Sequence, residues 1–143
     1  MVSSTSRHAI RALIILARLP KGKYAQAASV ARRIKAPSNY LGKMLQAMCK
    51  QGFLLSQKGH GGGFRLAREP HRISLYDVVE PIEGLSRKSG CILGQMLCSD
   101  NSPCPAHKGY AAAVAAQQRF LKGTTIGQLA DQYGKLGRKG RVL

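Results

Sequence analysis

Apolar residues recur at helical spacing along residues 7–19, RHAIRALIILARL. Ala9, Ile10, Leu13, Ile14, Leu16 and Ala17 share a wide face, and Arg7, Arg11 and Arg18 fall outside it. The pattern predicts a helix buried over much of its circumference, ended by Pro20 and Gly22. A shorter helix is predicted over 26–35, QAASVARRIK, with Ala27, Val30, Ala31 and Ile34 inward. After the APSN of 36–39, Ser38 is the expected N-cap, because its hydroxyl can accept a free first-turn N–H. The third helix, YLGKMLQAMCKQG (40–52), repeats apolar residues at Tyr40/Leu41, Met44/Leu45 and Met48 and stops at Gly52. Two short helices joined by a few residues, after a longer one, form the helix-turn-helix arrangement. An ordinary bundle of capped helices has the same spacing, so the residues that follow decide.

There the period shortens. FLLSQ (53–57) and FRLAR (64–68) read as two strands, and between them KGHGGG (58–63) has four glycines in six residues, which permit a tight reversal. A hairpin directly after a helix-turn-helix is a wing. The fold class expected is therefore mainly α with a small β-wing, a winged helix-turn-helix. The second helix would enter the major groove N-terminus first. Ser38, Asn39 and Lys43 are the candidates for base or phosphate contact, with Lys58 and His60 at the wing tip and Arg65 and Arg68 close behind. The glycine loop is not read as a nucleotide cradle: it joins two strands, lacks a Gly-Lys-Ser/Thr ending and opens no helix.

Residues 74–84, SLYDVVEPIEG, predict a helix capped by Ser74 with Asp77 three residues on. Residues 106–123, AHKGYAAAVAAQQRFLKG, predict a long alanine-rich helix whose Tyr110, Ala113, Val114, Gln117, Phe120 and Leu121 lie near one stripe. A lightly charged alanine face suits close packing against a second copy, and a two-fold dimer matches a palindromic operator. Thr124 or Thr125 is expected to cap a last turn. The division expected is 1–84 for DNA binding, 85–107 for a cysteine-bearing loop, 108–132 for the dimerisation helix and final turn, and 133–143 for a basic flexible tail.

Charge sharpens the DNA reading. The net is +17, with 23 Lys and Arg against 6 Asp and Glu. Residues 1–68 hold thirteen of the cations and no acid; Glu69 is the first carboxylate. Such a surface repels itself unless a polyanion is near, and double-stranded DNA is the usual one. No apolar run approaches the roughly 20 residues of a membrane span and no signal-peptide order is present, so a cytoplasmic protein is expected, without a membrane or a small-molecule substrate. Paired carboxylates and nucleophile–base motifs are missing, which argues against an enzyme.

Three of the four cysteines fall within one short segment. Cys91, Cys98 and Cys104 are separated by six and five residues, and His107 lies three beyond Cys104. In a reducing compartment such clustering points to metal or redox chemistry. Thiolates are the usual ligands of iron–sulfur clusters, and imidazole can replace one. Zinc also takes Cys₃His, although its sites favour tighter Cys pairs, and metal-free reactive thiols are a third possibility. Arg87, Lys88 and Lys108 are near in sequence and would favour thiolates. Cys49 reads as a small buried side chain, His8 as a helix-surface or interface residue, and His71 as solvent-facing.

Taken in order, RHAIRALIILA, SVARRIKAPSNYLGKMLQAM, GFLLSQKGHGGGFRLAR, ISLYDVVEPIEG, the spaced cysteines and FLKGTTIGQLA resemble the bacterial winged-helix regulators of the IscR/NsrR/CymR type, the Rrf-two family, from about Arg7 to Leu129. The resemblance implies a homodimer joined through the long C-terminal helix. It places DNA contacts at Ser38, Asn39, Tyr40 and Lys43 and around Lys58. It also implies an iron–sulfur cluster, [2Fe–2S] or [4Fe–4S], on Cys91, Cys98, Cys104 and His107, controlling a transcription regulator, a repressor in preference to an activator. Two departures stand out. Gly42 occupies a position where some members carry an acid that tunes selectivity, and Ser6-Arg7-His8 offers no carboxylate where some nitric-oxide sensors place a ligand.

If a dimer neutralises roughly ten phosphates, a plot of log affinity for duplex DNA against log salt should fall with a slope of about −9. Fluorescence anisotropy on a labelled duplex between low and moderate salt measures it.

Overall fold

A computed structural model of the chain describes residues 2–86, 91–94 and 99–136. The elements run α1 (Ser4–Ala17), α2 (Ala27–Ile34), α3 (Ser38–Lys50), β1 (Leu54–Gln57), β2 (Gly63–Leu66), a 3₁₀ turn (Pro70–Arg72), α4 (Leu75–Glu83), α5 (His107–Gly123) and α6 (Ile126–Leu136). The mainly α winged helix-turn-helix expected from the sequence is the fold observed. Helix α1 is its axis. Its Ala9, Ala12 and Leu13 have no exposed surface, and it packs against α2, α3, β2, α4 and α6. Alanines on the buried stripe allow several neighbours to approach one helix, while Leu13, Ile14, Ile15 and Leu16 fill the space between them.

The start of α1 is tied to the end of α4. Ser3 caps α1 by accepting the Ser6 N–H, and its own N–H donates to Glu83 Oε1 at 2.8 Å. Fully buried Ser6 donates its hydroxyl to the same oxygen at 2.7 Å. One carboxylate thus satisfies polar groups that would otherwise be costly to bury. Ser74 and Asp77 form the capping box expected for α4.

The wing is short and clamped. β1 and β2 pair antiparallel from Leu54↔Leu66 at the root to Gln57↔Gly63 near the tip. On its other side β2 exchanges two backbone hydrogen bonds with Ala25, from Ala25 N–H to the Phe64 carbonyl at 3.0 Å and from Phe64 N–H to the Ala25 carbonyl at 2.8 Å. Gly63 is required there. Its φ is 134°, and a Cβ would sit 2.2 Å from the Ala25 oxygen.

Three expectations need correction. Ser38 is not the cap of α3: the N-cap is Pro37, no side chain bonds the first turn, and Ser38 is already helical. Proline sets φ at −61°, a value shared by the extended cap and the helix it starts, and the helix's first amide groups stay open. The last turn is an eleven-residue helix, α6, running past the 132 boundary to Leu136. Thr125 caps it, accepting the Gln128 N–H at 3.2 Å while its own N–H donates to Gln128 Oε1 at 2.9 Å. His71 is exposed as expected, with its Nε2 3.2 Å from Asp131 and its ring lying on Gly127. Cys49 is half-buried, not fully buried. The rest of the basic tail, from 137, lies outside the described residues. No helix among the described residues is long and apolar enough to cross a membrane.

A Cβ at Gly127 would stand 2.5 Å from the His71 ring and 2.7 Å from its backbone nitrogen. Gly127→Ala should therefore cost about 1–3 kcal/mol by overpacking. The expected reading is a thermal midpoint several degrees lower by circular dichroism, with affinity for duplex DNA unchanged.

Candidate nucleic-acid interface and cysteine loop

Ser38, Asn39, Tyr40 and Lys43 all lie exposed on the first two turns of α3. Buried Leu41, Leu45 and Met48 hold the opposite face to the core. This places the polar residues outward at an uncapped helix N-terminus, where free N–H groups and the helix dipole attract phosphate. Tyr40 is held edge-on by His8 of α1, with ring centroids 5.9 Å apart. Lys58 and His60 are exposed in the turn between the strands, where the Gly62 N–H donates to the Gly59 carbonyl at 3.0 Å.

Arg65 and Arg68 are placed differently from the tip residues. The Arg65 guanidinium lies over the Tyr24 ring at 5.1 Å on the wing's flank, and its Nε is buried without a hydrogen-bond partner. Arg68 donates from Nε to the Gly52 carbonyl at 3.0 Å and covers Phe53, so it braces the end of α3 against the wing root. Sequence reasoning missed Arg11. Its Nε and His8 Nδ1 are buried and unpartnered on one side of α1, and His8 there meets Tyr40 of the reading helix. The available signal was their i, i+3 spacing, which puts both on one helix face.

The cysteine loop joins α4 to α5. Cys104 is buried and Cys91 half-buried, and their sulfurs lie 3.5 Å apart across thirteen positions of sequence. The Leu93 N–H points at Cys91 Sγ at 3.4 Å. His107 opens α5, its N–H bonded to the Cys104 carbonyl at 2.9 Å and its Nε2 held by Asp100 at 3.0 Å. Cys98, with Arg87 and Lys88, lies outside the described residues. Among the described residues no three His, Cys, Asp or Glu side chains converge as a metal site.

The chemistry of the described donors nevertheless fits a sulfur-ligated metal. Two thiolates on one tetrahedral centre at about 2.3 Å would sit about 3.8 Å apart, close to the separation found. An N–H···S contact and a carboxylate-bonded imidazole are the usual supports of such ligands. Cys49, by contrast, is set apart. Burial raises its thiol pKa and a hydrogen bond with Ser56 offsets this in part, so it stays protonated at neutral pH.

Helix α5 stands clear of the core. Leu121 is its one residue described as buried, while Phe120 is 61% exposed and Ala111, Ala112, Ala113, Ala115 and Ala116 are exposed. Beside it runs an apolar groove of about 420 Å³ between Val2 and Ile10 on one side and Phe120 and Leu121 on the other.

A helix-turn-helix with an open-ended reading helix, a clamped basic wing and no carboxylate in its first 68 residues defines a winged-helix transcription regulator. A family model described as Rrf2, iron-dependent transcriptional regulator, matches residues 2–132, and the chain belongs to that family. A protein of Aquifex aeolicus provisionally assigned as an HTH-type transcriptional regulator is 34% identical over 131 residues, covering 90% of each chain. Another from Lactococcus lactis, with the same provisional assignment, is 32% identical over 92% of this chain and 87% of its own. Two solved structures share the fold. CymR, the global cysteine regulator of B. subtilis, has a TM-score of 0.75 at 23% identity, covering 92% of this chain and 97% of its own. T. potens IscR has a TM-score of 0.74 at 22% identity, covering 94% and 90%.

Lys58→Ala should weaken binding to all duplex sequences alike and make the salt slope shallower by about 1 for the phosphate that is no longer neutralised. Anisotropy titrations at several salt concentrations check this against the parent protein.

Proposed function

We propose that the protein is a homodimeric, sequence-specific DNA-binding repressor of the cytoplasm. Its grip on a palindromic operator is set by an iron–sulfur cluster on Cys91, Cys98, Cys104 and His107. The observation that supports control at this loop is the 3.5 Å approach of Cys91 and Cys104 next to the first residue of α5. Bound there, a cluster supplies a redox couple whose potential follows charge, exposure and hydrogen bonds to sulfur.

The chain's own residues do the rest. Ser38, Asn39, Tyr40 and Lys43 meet the major groove, and Lys58 and His60 follow the backbone beside it. Arg65 steadies the wing from its flank. Asp100 fixes the His107 ring, and His107 passes the state of the loop to the start of α5. The exposed alanines of α5 and Phe120 cover the same face of a second copy, which sets the spacing of the two reading helices. A change in loop order then shifts the population of dimers with the correct spacing.

A second reading has support in the same sulfur pair. Thiols 3.5 Å apart need only a small shift to reach the roughly 2.05 Å of a disulfide. One solved relative in fold, Staphylococcus aureus CymR, is known in an oxidized form. In that case metal-free thiols would govern binding.

Anaerobic purification separates the two. Under the first reading the protein is coloured and contains iron and sulfide, and Cys98→Ala removes the visible absorbance while the circular dichroism spectrum stays. A colourless, iron-free protein that binds its operator only when reduced would sink the first reading and support the second. Phe120→Glu should convert a dimer to a monomer in analytical ultracentrifugation and lower operator affinity by orders of magnitude; an unchanged dimer would reject the α5 interface.

A further inference from the structure

The wing has a second cationic surface at its root. A cleft of about 520 Å³ opens between the end of α1, the turn leading to α2, and the end of β2. Its floor is apolar: buried Leu16, with Leu19 and Leu66, and Pro20 and Pro70 beside them. Its rim is Lys21, Lys23, Arg65 and Arg68 against a single carboxylate, Glu69. A volume of this size, with an apolar base and a few polar groups, is typical of small-molecule sites.

The rim is also prepared. Tyr24 holds the Arg65 guanidinium by a face-on contact, yet Arg65 Nε is buried with no acceptor. Arg65 lines the cleft, and a guanidinium already held on a ring loses less side-chain freedom when it pairs with an anion. Duplex DNA is poorly placed to supply that anion. No reading-helix or wing-tip residue lines the cleft, and the strand runs about 10 Å from Leu66 to the tip.

We propose that this cleft binds a small organic anion, a carboxylate, sulfonate or phosphate head on an apolar body, and that occupancy adjusts the wing. The head pairs with Lys21, Lys23 and Arg65, and the body lies on Leu16, Leu19 and Leu66. The coupling follows from connectivity. The ligand bridges the turn before α2 and strand β2, which are the two segments joined by the Ala25–Phe64 hydrogen bonds. It therefore bears on the tilt of the wing relative to α3. The coupling clause rests on the DNA-binding reading; the binding clause does not.

The probe is 8-anilinonaphthalene-1-sulfonate, titrated by calorimetry into the full-length protein without DNA, beside the uncharged N-phenyl-1-naphthylamine. One saturable site per chain is expected, with the sulfonate bound about ten-fold or more tightly than the neutral compound, the worth of a charge-assisted hydrogen bond. Lys21→Ala with Lys23→Ala should remove that preference and leave the neutral compound, the thermal midpoint and the DNA salt slope unchanged. Saturating sulfonate should change duplex affinity several-fold, and duplex should change sulfonate affinity by the same factor.

Equal binding of the two compounds, or a double variant that binds the sulfonate as the parent does, overturns the site. A double variant with a shallower salt slope overturns it too, because the rim then belongs to the DNA footprint. A protein that binds the sulfonate as described but no duplex refutes the DNA reading and the coupling, and leaves the anion site standing.

Discussion

Everything in the fold depends on the burial of α1. Ala9, Ala12 and Leu13 are fully enclosed, and α2, α3, β2, α4 and α6 all lean on this one helix. That is a demanding arrangement for a chain of net charge +17, whose first half has no acid to offset its cations. Like charges on the shell favour expansion. The apolar contacts around α1, together with the Glu83 oxygen that serves Ser3 and Ser6, oppose it. The few carboxylates are placed where they matter mechanically: Glu83 at the start of α1, Asp77 at the cap of α4, and Asp131 against His71. None of the six lies within α3 or the wing hairpin in sequence.

The same economy shapes the wing. Two four-residue strands cannot bury much on their own, and an isolated hairpin of this length would be marginal. The Ala25 bridge and the Arg68 brace from Gly52 make the wing an extension of the helical core. Gly63 permits the close approach that the bridge needs. The wing thus answers to the turn between α1 and α2 as well as to α3, and the tip presents Lys58 and His60 from a supported root.

Much of this was legible in the chain. Period and caps gave α1 to α4 within a few residues, because apolar spacing and burial coincide there. Ser74 with Asp77 and the glycine-rich tip were readable because the chemistry of each is local. Long-range contacts were less so. Ser38 has the residue type of a cap, yet Pro37 fixes the start of α3 one position earlier. His71 gave no sign of its partner, since Asp131 is sixty positions away. Arg65 reads as a DNA contact from its place behind the wing tip, and only the pairing of β2 with Ala25 reveals Tyr24 beneath it. For the loop, spacing named the ligand candidates but not that Cys91 and Cys104 meet.

That meeting has a thermodynamic consequence. Any bridge between the two sulfurs closes a ring of about fourteen residues directly against the first turn of α5. Closing a ring of this size removes configurational freedom worth about 3 kcal/mol from the open chain. Helix ends fray because their opening turn has few bonds to hold it, and here no side chain caps that turn. A covalent or metal-borne staple there would bear on how much of α5 is wound, so that helix length itself would carry the state of the loop to the rest of the molecule.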